Sequence, residues 1–174
     1  MKKPLKQNTK KLIFSALFVA IICVFSQIAL PFAIVPITLQ VFAICICGYF
    51  LGVKYGLLTI CVYIISGAIG MPVFYGFQGG AQHLLGLTGG FIFGFIPLVF
   101  CCGITHKFKS NVFKILLGIL GVLICHLIGV LQFMAVSNNG LIASFVIASL
   151  PYLLKDIPLT ILAFCLAKLI KKRI

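Results

Sequence analysis

A chain of 174 residues that is 63% hydrophobic, with a mean hydropathy of +1.28, is too apolar for a soluble domain and describes an integral membrane protein. Fourteen basic residues against a single acid, Asp156, give a formal charge of +13. The basic residues lie in short clusters between long apolar runs, which is a signal of membrane topology and argues against a nucleic-acid-binding face.

A crossing helix needs about 20 apolar residues. The first such run, 12–30, follows the basic segment 1–11; it is longer than a signal-peptide core and lacks an A-x-A-like cleavage site, so it is read as a retained span. Pro31 and Pro36 then favour an extended connector. Runs over 37–53 and 55–70 are separated by LGVKYG, whose glycines on either side of Lys54 predict a tight turn between antiparallel spans. A fourth span, 88–105, carries Pro97 as a kink. The basic connector HKFKSNVFK leads to a fifth, 113–136, ended by SNNG. The segment 141–150 is too short to cross and reads as a partial helix, and a sixth span covers 155–170.

The expected fold is thus an all-α bundle of six transmembrane helices in a single domain, with both termini on one side. With that side cytoplasmic, thirteen of the fourteen basic residues obey the positive-inside rule and Lys155 alone does not. The connectors 31–40, 70–90 and 137–156 then gather at the outer face.

The stretch 70–90, GMPVFYGFQGGAQHLLGLTGG, holds seven of the seventeen glycines and no charge. Irregular backbone at membrane depth survives only when buried or lining a cavity, so the stretch reads as a loop folded over a pocket; an ordinary surface loop has the same composition. Phe74, Tyr75 and Phe77 would supply apolar walls, and Gln78, Gln82 and Thr88 uncharged hydrogen-bonding groups. Asp156, followed two residues later by Pro158, is placed at the N-cap of the sixth helix, as a cap, as an acceptor for ligand N–H groups, or as both. His126, within LICHLIG, is expected to pack against a neighbouring helix through a backbone carbonyl.

The three histidines and eight cysteines show no metal-ligand spacing, and no nucleophile has a base near it. No metal, cofactor or catalytic residue is expected. The absence of a GxxxxGK[ST] loop means that any ATP-driven step needs another chain. Small residues at four-residue spacing, Ala16 with Ala20 and Gly121 with Cys125 and Gly129, allow close helix approach, either within the chain or to a partner.

Six stretches in order, VPITLQ at 35–40, YFLGVKYG at 49–56, GMPVFYGFQGG at 70–80, LGLTGGFIFGF at 85–95, LIGVLQF at 127–133 and PYLLKD at 151–156, resemble the BioY family, the biotin-specific substrate-binding components of energy-coupling factor transporters. The resemblance implies a six-helix capture subunit for biotin in a bacterial plasma membrane. It would be partnered by a membrane coupling protein and two ATPases, with the Ala16 and Ala20 face as a contact. The candidate ligand-binding set is Asp156, Lys155, Gln82, Gln78, Phe74, Tyr75, Thr88, Gly89 and Gln132. Where the family often has LGPTGG this chain has LGLTGG, and Leu159 stands at the position of the usual lysine three residues after the aspartate. Either Lys155 takes over part of that lysine's role or the ligand is gripped differently. Another vitamin, such as thiamine or riboflavin, is the alternative substrate, and a partner-free channel or membrane enzyme the alternative class.

Overall fold

The computed structural model describes residues 7–30 and 37–173. Lys2, Lys3 and Lys6 and the connector with Pro31 and Pro36 lie outside the described residues. Among the described residues the chain is helical almost throughout: α1 (Gln7–Gln27), α2 (Gln40–Ala68), α3 (Ala81–Leu85), α4 (Gly89–Ile104), α5 (Asn111–Ser137), α6 (Leu141–Ala148) and α7 (Leu150–Arg173). Four segments are long and apolar enough to cross a membrane, Gln7–Gln27, Gln40–Ala68, Gly89–Lys107 and Asn111–Ser137. α3 and α6, at 5 and 8 residues, are too short to do so. A two-stranded antiparallel ribbon, β1 (Ala29–Leu30) with β2 (Ile37–Thr38), closes the passage from α1 to α2.

The tight turn expected around Lys54 is a single residue. Gly52 has φ +79° and ψ −177°, a backbone state open to glycine at little cost, and it folds α2 back on itself. The hydrogen bond of 2.6 Å from the Gln40 amide to the Tyr63 hydroxyl proves the reversal, because in a straight helix those residues would lie about 34 Å apart. Both arms pack against α4, where Gly103 lies so close to Gly52 and Val53 that a Cβ would meet the Val53 nitrogen at 2.6 Å.

The stripe of Gly121, Cys125 and Gly129 is used inside the chain. A Cβ on Gly94 would come within 2.8 Å of the Cα and carbonyl oxygen of Cys125, and one on Gly90 within 2.9 Å of the Gly129 Cα. α4 and α5 therefore cross at backbone contact, the close approach that small residues permit. On α1 the buried residues Ser15, Phe18, Ile22 and Ser26 share one face toward the bundle. Ala16 and Ala20 are exposed beside Ile13, Leu17 and Val24, so they do not pack inside this chain.

The helices order the chain into two ends. One gathers the C-terminus of α1, the start of both α2 and α4, the loop 70–88, the end of α5 and the start of α7. The other gathers Gly52, the end of α4, the first turn of α5 and the end of α7, as shown by the contacts of His106 with Tyr49 and Lys171 and of Tyr49 with the Lys114 carbonyl.

Candidate functional site: a cavity closed by the glycine-rich loop

A cavity of about 360 Å³ opens at the first end, within the roughly 300–1,000 Å³ of small-molecule sites. Its roof is the glycine-rich loop, which is fastened on two sides. Toward α2, the Gly80 N–H donates to the Gly67 carbonyl at 2.7 Å, and Gly67 has no room for a Cβ because the Phe74 ring lies on it. Toward α1, the Ser26 hydroxyl donates to the Val73 carbonyl (2.7 Å), the Gln27 amide donates to the Phe74 carbonyl (2.9 Å), and the Phe77 N–H donates to the Gln27 side-chain oxygen (2.9 Å). Within the loop, Phe74 N–H donates to Gln78 across a short turn whose tip, Gly76, has φ +69°. The loop is therefore a built wall rather than a free surface segment.

Phe74, Tyr75, Gln78, Gln82 and Thr88 all line the cavity, as do Lys155 and Asp156. Phe74 is buried and meets Tyr63 edge-on with centroids 5.7 Å apart, which fixes its ring as an apolar wall. Gly89 and Gln132 do not face the cavity. The Gln132 amide donates to the carbonyls of Leu84 and Gly86 at 2.8 and 2.9 Å, and a Cβ on Gly89 would run into the Leu84 carbonyl. Both residues therefore seat α3 and the turn after it, shaping the wall from behind.

The polar floor centres on Asp156, 2% exposed. It is not an N-cap. α7 begins at Leu150, where the Ser149 carbonyl accepts from the N–H groups of Tyr152 and Leu153, so Asp156 sits nearly two turns inside the helix. Pro151, not Pro158, is the proline of the first turn, where a missing N–H costs nothing. The carboxylate accepts from the Lys155 ammonium at 2.5 Å on Oδ1 and lies 3.3 Å from His126 Nε2 on Oδ2. Lys155 also donates to the Thr38 carbonyl at 2.6 Å, which ties α7 to β2. Burial of an unpaired carboxylate is prohibitive, and two donors on separate oxygens relieve it.

His126 also lines the cavity, and the sequence reading gave it the wrong partners. Its partners are side chains, not a backbone carbonyl: Asp156 on Nε2 and the Ser149 hydroxyl at 3.0 Å on Nδ1. A carboxylate only accepts, so Nε2 carries the proton and, in a neutral ring, Nδ1 accepts from Ser149. Phe91 meets the imidazole edge-on at 5.6 Å. One ionisable side chain in the middle of an apolar helix was the available signal. Thr38, Gln40 and Tyr152 also line the cavity and were not anticipated.

The site thus offers aromatic walls, amide and hydroxyl groups at the rim, and one deep carboxylate held between two cationic or N–H donors. Ser149, His126 and Asp156 form a hydrogen-bonded chain, but the Ser149 hydroxyl is fully buried and does not line the cavity, so among the described residues no activated nucleophile faces it, and its chemistry is that of recognition.

The family model for the BioY family matches residues 1–174. The chain is 43% identical over 122 residues to the biotin transporter BioY of Thermotoga maritima, covering 70% of this chain and 72% of that one. It is 39% identical to the probable biotin transporter BioY of Pyrococcus horikoshii, over 86% and 89% of the two chains. Among solved structures, the S-component for biotin from an ECF-type ABC transporter superposes with a TM-score of 0.86 at 28% identity, over 98% of this chain and 95% of that one. This chain belongs to the BioY family.

Proposed function

We propose that the protein is the biotin-binding subunit of an ATP-driven vitamin uptake transporter, and not an enzyme. The observation that carries this reading is Asp156. A carboxylate has about four lone-pair directions, Lys155 and His126 take two, and a remaining one accepts from a urea N–H of biotin. The thiophane ring fits the Phe74 and Phe91 walls, and the Lys155 ammonium, beside the position where Leu159 replaces the usual family lysine, faces the acidic tail or the urea oxygen. Gln78, Gln82, Tyr75 and Thr88 complete the rim.

Equilibrium binding of labelled biotin to the purified protein tests the reading. Saturable binding in the nanomolar-to-micromolar range is expected, and its absence would count decisively against it. In a thermal-shift panel, biotin at about 100 times its Kd should add about 2.7 kcal/mol of stability, with thiamine and riboflavin inert.

The same reading sets the chain across a plasma membrane six times. α1, the two arms of α2, α4, α5 and α7 are the crossings, the cavity opens outward, and both termini are cytoplasmic. All described basic residues except Lys155 lie at or beyond the opposite end, in keeping with the positive-inside rule, and the exception is explained by its contacts with Asp156 and Thr38. The chain carries no GxxxxGK[ST] loop, so uptake would draw on a membrane coupling protein and two ATPases. Ala16 and Ala20 form the proposed coupling face. Replacing both with Leu should abolish vitamin uptake by cells while the purified subunit binds biotin with unchanged Kd; equal loss of both activities would refute the assignment.

A further inference from the structure

A second cavity of about 360 Å³ lies at the end opposite the biotin site, between Tyr49 of α2, the short turn that follows α4, the first turn of α5 and the end of α7. Lys114, Lys168, Lys171 and His106 line it, together with Asn111. Lys171 Nζ is 2.7 Å from His106 Nε2, which is itself 2.7 Å from the Tyr49 carbonyl oxygen. A ring nitrogen cannot donate to that carbonyl and accept from the ammonium at once, so with Nε2 protonated the Lys171 ammonium lacks this acceptor and with Nε2 unprotonated the Tyr49 carbonyl lacks this donor. Among the described residues no acidic side chain lies near the cavity. The chain's single acidic residue, Asp156, is about 22 Å away along α7 and already held by Lys155 and His126. Consistent with this, the Lys171 ammonium is pushed down to about 8, first by partial burial and then by Lys114 and Lys11.

We propose that this cavity binds the phosphate of an anionic phospholipid headgroup. Three lysines, an imidazole and the amide of Asn111 converge on a volume suited to one phosphodiester, and basic pockets between membrane helices are the usual seats of such headgroups. The surroundings favour a lipid over free phosphate. Val112 and Leu116 on α5 and Leu162 and Leu169 on α7 are exposed large apolar side chains next to the lysines, along which acyl chains can lie while the phosphate occupies the cavity.

The test uses the full chain in neutral detergent, stripped of lipid, with phosphatidylglycerol, phosphatidylcholine and inorganic phosphate as probes, read by native mass spectrometry and thermal melting. Phosphatidylglycerol should remain bound and raise the melting temperature, and the other two should do neither. The triple variant Lys114→Gln, Lys168→Gln, Lys171→Gln should lose phosphatidylglycerol affinity by on the order of 100-fold. A control triple of equal charge loss, Lys54→Gln, Lys107→Gln, Lys109→Gln, should keep it. Biotin binding reports folding, and should the pocket triple lose it, Lys168→Gln alone still predicts a roughly fivefold loss of the lipid. Equal lipid loss in both triples, or equal binding of phosphatidylcholine, overturns the site. Stabilisation by inorganic phosphate equal to that by the lipid overturns the lipid assignment in favour of a free anion. Loss of partner co-purification from the pocket triple with no lipid effect in any variant overturns it in favour of a partner's carboxylate.

Discussion

Asp156→Asn weakens biotin binding by about 1.5 to 3 kcal/mol, a roughly 10- to 150-fold rise in Kd. The amide keeps the shape of the carboxylate but has one acceptor oxygen in place of two. Its NH2 must face either the Lys155 ammonium or His126 Nε2, and the second arrangement is attainable if the imidazole moves its proton to Nδ1 and donates to Ser149. That rearrangement spares folding but leaves fewer lone pairs for the ligand and strips Lys155 of its counter-charge. Because Asp156 lies inside α7 and caps nothing, the melting temperature of the ligand-free protein should change little. Titration of labelled biotin into parent and variant checks this, and a variant that binds like the parent would show that the urea group lies elsewhere.

Gly94→Val costs at least about 3 kcal/mol of folding stability, the upper part of the range for overpacking. The new Cβ meets the Cα and carbonyl oxygen of Cys125 at 2.8 Å, and backbone cannot step aside as a side chain can. α4 and α5 would have to separate along their whole crossing, taking Gly90 and Gly121 out of contact and moving Phe91 and His126 apart. Denaturation in mixed detergent measures the loss. Gly140→Ala is the matched control: nothing lies within 4 Å of its Cβ and its effect should stay below about 1 kcal/mol. Similar losses at both positions would mean that the close α4–α5 crossing is not what the glycine protects.

The helical segments were legible because apolar run length and basic connectors are local properties of the chain. The role of the glycine-rich loop was legible in part: Phe74, Tyr75, Gln78 and Gln82 do face a cavity, whereas Phe77, expected as a third apolar wall, is exposed and does not line it, and the fastening by Ser26 and Gln27 depends on α1 lying alongside, which no local pattern reveals. Gln132 was placed in the ligand-binding set with the family resemblance; its amide instead donates to the carbonyls of Leu84 and Gly86. Asp156 was found because it stands alone as a carboxylate. Its place in the helix was misjudged because Pro158 looks like a helix start, whereas a proline inside a membrane helix is tolerated when neighbours satisfy the freed carbonyl. The functional meaning of His126 needed α5 and α7 side by side.

The three hydrogen bonds that join Ser26 and Gln27 to Val73, Phe74 and Phe77 have a mechanical consequence. They join the last turn of α1 to the roof of the cavity, while Ala16 and Ala20 lie two to three turns down the same rod. A helix transmits axial displacement along its length almost without loss, since each residue is clamped to the fourth before it. Any force that tilts or draws α1 at the alanine face therefore arrives at the roof as strain on those three bonds, with no intervening relay. In this architecture α1 joins the alanine face to the roof of the cavity as one continuous helix.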